Sequence, residues 1–279
     1  MLEQSNRALK LVQLNKVKTA SKKPRSNRRL LLGSILPVSL VILWEAASNM
    51  GIIEAHLLPA PSAIIASLYQ MVLEGTLWGH LGSTLTRVFA GFFIGTFAAI
   101  IIGSLVGYLK IIEELVDPII QALRSIPSLA WVPLFILWMG IGETSKVTLI
   151  SVGVFFPVYL NMVAGIRGVD RKLIEVGKIY GFTSFQIVRR IILPASLPSF
   201  LTGIRSGLGL GWMFVVAAEI MGASKGLGYL LIVGQNTYSP DTIIGSILLF
   251  AILGKLTDWF LKVIEERSLR WQDSLANQH

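Results

Sequence analysis

RVFAGFFIGTFAAIIIGSLVGYL, residues 87–109, carries one charge, at Arg87, and none after it. About 20 helical residues at 1.5 Å each cross the hydrocarbon of a bilayer, so this run is long enough to span one. Its apolar residues are continuous rather than alternating, which excludes the strand of a membrane barrel. Gly91, Gly95, Ala99, Gly103 and Gly107 recur every fourth residue. That spacing keeps small residues on one helix face and predicts close packing against a neighbouring backbone. Gly203, Gly207 and Gly211 repeat the device further along.

Five more runs resemble this one, giving spans at about 30–50, 87–109, 128–141, 147–166, 194–220 and 242–264. The third is short and holds Pro127 and Pro133, so a kink, or an extension through part of 118–125, is expected. The 279 residues are 53% hydrophobic and 15% charged, against roughly a quarter charged in a soluble domain. The fold class is therefore all-α, a polytopic membrane protein of six transmembrane helices. No cysteine is present, which excludes a disulfide framework, a thiolate zinc site and a cysteine nucleophile. His56, His80 and His279 are too scattered for a histidine-rich metal site.

Basic residues give the orientation. Nine Lys or Arg precede Leu30, two lie in 110–127, six in 167–193 and three from Lys262 on. The opposite side has Lys146 and Lys225 alone. Lys and Arg favour the cytoplasmic side, which places both termini there. Residues 1–29 form a basic cytoplasmic tail, 30–271 the membrane domain with a long loop at 167–193, and 272–279 a cytoplasmic C-terminal tail. The first apolar run is longer than that of a typical signal peptide, which favours an uncleaved span over cleavage after Ala47 or Ser48. Within the tail, Leu9–Val17 is weakly amphipathic and would suit anionic headgroups, although a tail without structure is the preferred reading.

A pump couples to ATP or to an ion gradient. Gly140-Ile-Gly-Glu-Thr-Ser-Lys146 lacks the second glycine of a phosphate-binding loop. No pair of acids at metal-binding spacing sits in a span. Uphill transport would therefore draw on ATP hydrolysed by another polypeptide touching a cytoplasmic loop. The 167–193 loop suits such a contact. Leu173, Val176, Ile179 and Tyr180 recur at helical spacing, Gly181 supplies a break, and Phe185, Val188, Ile191 and Ile192 form a second short face. Two short helices joined by a break can seat in a partner's groove, and the same face could also rest on lipid.

Glu175-x5-Gly181-x9-Ile191-x-Leu193-Pro194 resembles the EAA loop of ABC-importer permeases. Val176-Gly177 departs from the two alanines of that motif, and Gly177 is expected to loosen the helix by about 1 kcal/mol. Leu58-Pro-Ala-Pro-Ser62, Leu123-Arg-Ser-Ile-Pro127, Ala218-Glu219, Gly226-Leu-Gly-Tyr229 and Glu265 to Trp271 are similar to permeases for aliphatic sulfonates, taurine, nitrate and bicarbonate. The resemblance implies a type I ABC importer permease fold in a bacterial inner (plasma) membrane. It implies a homodimer, two cytoplasmic ATPase subunits that bind ATP and Mg, and a periplasmic or lipid-anchored substrate-binding protein. The chain itself would hold no cofactor or metal, bind no nucleic acid and catalyse no reaction. Sulfonates match best among substrates; taurine, nitrate and bicarbonate are alternatives.

Glu175, Gly181, Ile191, Leu193 and Pro194 are the candidate residues for coupling to the ATPase. Arg205 lies about 16 Å into the fifth span, near mid-membrane. It would either pin helices, with carbonyl partners reached past Gly203 and Gly207, or line an anion path. Lys255 is a second, weaker anion candidate because Asp258 can neutralise it. Glu143, Lys146 and Glu219 are candidates for an outer gate or a binding-protein contact. A different class, half of an ion-coupled secondary transporter, would need mid-membrane acids, for which Glu45, Glu219 and Asp258 are the candidates.

Overall fold

The computed structural model describes residues 27–269 and Trp271. The basic segment 1–26, with its amphipathic stretch, and the tail 272–279 lie outside the described residues. Among the described residues every regular element is helical. In chain order the α-helices are α1 (Asn27–Asn49), α2 (Pro61–Leu73), α3 (Thr76–Tyr108), α4 (Lys110–Ser125), α5 (Val132–Met139), α6 (Glu143–Arg167), α7 (Arg171–Ile179), α8 (Ser184–Ile187), α9 (Leu193–Ile220), α10 (Leu227–Asn236) and α11 (Pro240–Ser268), with a 3-10 turn at Ser128–Trp131 and a π turn at Val188–Ile192. By length and composition α3, α6 and the continuous Ser184–Ile220 can each cross a membrane alone. The expected third span is a broken pair, with α4 and the helix ending at Met139 bent by 87°. α1 and α11, of 23 and 29 residues, occupy the places of the first and last expected spans.

The glycine stripes set the geometry of the core. A Cβ on Gly91 would fall 2.5 Å from Ile150, on Gly103 3.1 Å from Met162, and on Gly107 3.0 Å from Ile166. The partners ascend together, so α3 and α6 run parallel. α4 and α5 are the crossover that a parallel pair requires. A Cβ on Gly203 would meet Asn161 at 2.7 Å, on Gly207 Val158 at 2.8 Å, and on Gly211 Val154 at 3.2 Å. Here one number rises as the other falls, so α9 packs antiparallel on α6. Helix α6 is thus clasped on two sides by glycine faces, and Val88, Ala99, Val106, Ile150, Val154, Val158 and Val215 are fully buried. Tyr159, also fully buried, donates from its hydroxyl to Asp117 of α4 at 2.7 Å, fastening the crossover to the core.

The second span begins earlier than its charges suggest. Helix α3 starts at Thr76, eleven residues before Arg87, because Arg87 is neutralised inside the protein and does not end the helix. Outside the six expected spans, the segments at this end also hold helices, α2 and α10. α1 joins the rest through Glu45, whose carboxylate accepts from the Ser62 N–H (3.1 Å) and hydroxyl (2.7 Å) at the start of α2. Its apolar side chains from Ile35 to Leu43 are mostly exposed, as a lipid-facing helix requires.

Candidate functional site

Three features stand out: a buried ion cluster, a half-open arginine cleft and an exposed loop. The cluster lies where α3 and α6 begin and α9 ends. Arg87 makes a two-pronged contact with Glu143, Nε to Oε2 at 2.6 Å and Nη2 to Oε1 at 2.7 Å. Its Nη1 donates to Glu219 Oε1 and to the Lys225 carbonyl, both at 2.6 Å. The Arg87 side chain is 5% exposed and that of Glu219 is 0% exposed. Burial of either charge alone is expensive, and the guanidinium fork satisfies two carboxylates at once.

Glu219 is also held by the Thr84 hydroxyl at 2.9 Å and the Gly228 N–H at 2.7 Å. Lys146 is buried, with its ammonium 3.5 Å from Glu143. All three residues expected at an outer gate, Glu143, Lys146 and Glu219, therefore meet in one place. The same packing accounts for Gly226-Leu-Gly-Tyr229. A Cβ on Gly226 would collide with the Glu219 carboxylate, and one on Gly228 would fall 2.6 Å from Glu219 Cβ.

Sequence reasoning missed Arg87, Thr84 and His80 as members of this group. The available signal was Arg87 itself: a base inside an apolar run must find an acid, and few acids lie in the spans.

Arg205 lies on the partly exposed side of α9, in a cleft of about 310 Å³ with Thr202, Ser206, Asp258 and Glu265. Its Nε and Nη2 donate to Asp258 at 2.9 and 3.2 Å, and its Nη1 donates to Glu265 at 3.0 Å. Its partners are carboxylates of α11, not the carbonyls of neighbouring backbones that the flanking glycines were expected to admit. Those glycines face α6 instead. The expected Asp258–Lys255 pair gives way to Asp258–Arg205, and Lys255 is exposed. One arginine between two carboxylates leaves the group net negative, which opposes an oxyanion.

At the far end of the core, α7, α8 and the turn after them form the 167–193 loop. Asp170 caps α7 by accepting from the Lys172 N–H at 2.9 Å. Gly181 follows with φ of 73°, the left-handed conformation its position predicted. Thr183 and Gln186 form a reciprocal capping box on α8. Val188–Ile192 then widen into a π turn, with the Leu193 N–H bonded to the Val188 carbonyl. Pro194 has no N–H and its ring would crowd the carbonyl four residues back, so the wider turn lets the helix continue into α9. Pro194 was expected to open a new helix; instead Ser184–Ile220 runs unbroken.

The two faces of the loop differ sharply. Ile187 and Ile192 are buried with Met162, Ile166 and Val169, and Ile174, Phe182, Val188 and Ile191 pack against them. Ile191 reaches α7 because residue 177 is glycine, where a Cβ would fall 2.7 Å from Ile191 Cδ1. The glycine expected to loosen α7 is where the loop closes on itself. Leu173, Val176, Ile179, Tyr180 and Phe185 point outward, with Ile179 84% and Tyr180 75% exposed. Glu175 and Leu193 are exposed beside them.

Comparison with known proteins identifies the molecule. Residues 91–270 match the family described as binding-protein-dependent transport system inner membrane component. SsuC of Bacillus subtilis (strain 168), named as an aliphatic sulfonates transport permease protein, is 41% identical over 254 residues, covering 91% of this chain and 92% of its own. TauC of Escherichia coli (strain K12), a taurine transport system permease protein, is 34% identical over 253 residues, covering 89% and 92%. The MetNI methionine ABC transporter, solved in inward-facing conformations, contains a chain that superposes with a TM-score of 0.60 at 23% identity. That alignment covers 70% of this chain and 95% of the other. At this identity the likeness bears on the fold alone, which is that of a type I ABC importer permease. The chain belongs to the binding-protein-dependent transport system inner membrane components, and is a multi-pass permease subunit of an ABC importer rather than an enzyme.

Proposed function

We propose that this chain forms the membrane path of an ATP-driven importer of small sulfonates, aliphatic sulfonates first and taurine second. The relatives named for those substrates support the choice. The path would be made by two copies of the chain in a bacterial inner membrane. Two ATPase subunits would bind ATP and Mg on the cytoplasmic side, and a substrate-binding protein would deliver cargo from outside. The basic bias of the tail and the 167–193 loop supports that orientation.

The observation that carries the coupling role is the outward face of α7 and α8. Five large apolar side chains stand exposed on a loop whose other face is firmly packed. Such a face suits a partner's groove, with Glu175 supplying a charge-assisted bond of about 1.5–3 kcal/mol. Gly181 sets the angle between the two short helices, while Ile191 and Pro194 carry motion into α9. Glu143, Lys146 and Glu219 would govern the opposite end. Arg205 is assigned to pinning α9 against α11 rather than to the anion path, because its charge is met by two carboxylates.

Uptake of a labelled alkanesulfonate into cells expressing the complete system tests the substrate reading. Saturable, ATP-dependent uptake, competed by taurine more strongly than by nitrate, is expected. Nitrate uptake without sulfonate uptake would overturn it.

A further inference from the structure

Helix α10 is held at its start by side chains from elsewhere in the chain. A helix leaves its first N–H groups without partners of its own. Here three consecutive ones are taken: Gly226 N–H by His80 Nδ1 at 3.1 Å, Leu227 N–H by Thr84 Oγ1 at 2.8 Å, and Gly228 N–H by Glu219 Oε2 at 2.7 Å. His80 and Thr84 stand one turn apart on α3, and Glu219 lies near the end of α9. The cradle therefore fixes the first turn of α10, and the Ala223–Lys225 segment before it, to the core.

The three acceptors differ in one respect. The Thr84 hydroxyl carries no charge to lose, and Glu219 is secured by Arg87. An imidazole nitrogen accepts only through its lone pair, so His80 can hold Gly226 only while neutral, with its proton on Nε2. Protonation would turn Nδ1 into a donor facing a donor. The charged groups around it are Lys225 immediately before Gly226, Arg87 on its own helix, Glu219 from α9 and Glu143 from α6 beyond Arg87. Tyr229 stacks on the ring, with centroids 5.8 Å apart. The adjoining cluster of Leu77, Leu227 and Leu230 is packed by Met71 and Val72 of α2 and Leu249 and Phe250 of α11. Both carboxylates are already engaged by Arg87, while Lys225 and Arg87 would repel an imidazolium.

We propose that His80 is a pH-sensitive positioning residue, a catch that holds the start of α10 to α3 while neutral and lets it go when protonated. Histidine is the side chain whose charge changes between about pH 5 and 8. Thr84 and Glu219 keep their bonds and Arg87 keeps the Lys225 carbonyl, so the release is confined to the Gly226 N–H and the exposed side chains before it, and α10 stays folded. This goes beyond the transport reading and is independent of the substrate.

The chain has no cysteine, so Ser224→Cys, at an exposed position next to Lys225, accepts a single spin label. The full-length labelled chain is reconstituted in lipid nanodiscs and its spectrum followed from pH 8 to pH 5. The mobile component is expected to rise severalfold as pH falls. In His80→Asn, whose amide oxygen can accept at any pH, the pH-dependent transition should vanish whatever the starting mobility. In His80→Ala the label should be mobile already at pH 8. A flat wild-type profile, a transition that persists in His80→Asn, or an immobile label in His80→Ala at pH 8 would each overturn the proposal.

Discussion

The Arg87 cluster and the Arg171–Ile192 loop sit at opposite ends of the same three helices and are built on opposite terms. At the first end, Arg87, Lys146 and Glu219 are turned inward, and with the exposed Glu143 they meet partners within the chain. At the second, apolar groups are turned outward and meet none. A buried pair that is complete holds helices together but offers nothing to a second protein. An exposed apolar face contributes little to the fold and is available for contact. One end is largely finished within this chain, and the other has the exposed apolar face that the proposed docking role requires. Arg205, with its side chain 34% exposed, falls between the two.

The comparison breaks most easily at Arg87. Arg87→Met leaves Glu219 buried without its cation, and removing one member of a buried pair costs about 3–5 kcal/mol. A large drop in thermal midpoint and a loss of monodisperse protein are expected in detergent. Arg87→Met combined with Glu219→Met should recover much of that loss. A mild effect of the single change would mean that the cluster does not hold this end.

Gly181→Val comes next. A non-glycine residue in the left-handed region is strained by about 1–2 kcal/mol. The chain should stay inserted and folded while uptake falls steeply, and Glu175→Ala should lose uptake with almost no change in stability. Normal uptake by both variants would show that the loop has no coupling role.

Arg205→Met is expected to be milder than Arg87→Met, because partly exposed ion pairs contribute about 0–1 kcal/mol each. Equal losses of thermal stability in the two variants would erase the distinction between the two arginines. Arg205→Lys should keep assembly and uptake if the arginine pins helices.

The smallest effect belongs to Gly177→Ala. Alanine favours the helix by about 1 kcal/mol, and only the tip of Ile191 must move to admit it. A thermal midpoint close to that of the parent protein is expected; a large loss would mean that Ile191 has no room to shift.

Much of this was legible in the sequence. The glycine stripes and the turn at Gly181 follow from local spacing and are in place, and of the six apolar runs three lie in helices that can each cross a membrane alone, while the third expected run is a broken pair. Pairings between distant helices were not legible. Arg87 and Glu219 are 132 residues apart, and no local pattern joins them. Local logic gave Asp258 to Lys255 one turn away, whereas the packing of α9 on α11 gives it to Arg205, 53 residues away. The loop shows the same limit. Its helical periodicity marked Leu173, Val176 and Ile179 as one face, but periodicity does not say whether that face looks in or out. Gly177 decides it, since the side without a Cβ is the side on which Ile191 can close.

The proposed docking role can be tested at the most exposed apolar residue of the loop. A photoreactive amino acid replaces Ile179, which is 84% exposed, and living cells expressing the complete transporter are illuminated. The account predicts a cross-linked product containing this chain and the ATPase subunit, formed far less when the photoreactive residue replaces buried Ile187 instead. Cross-links from residue 179 to lipid alone, with the ATPase subunit present and transport active, would contradict it.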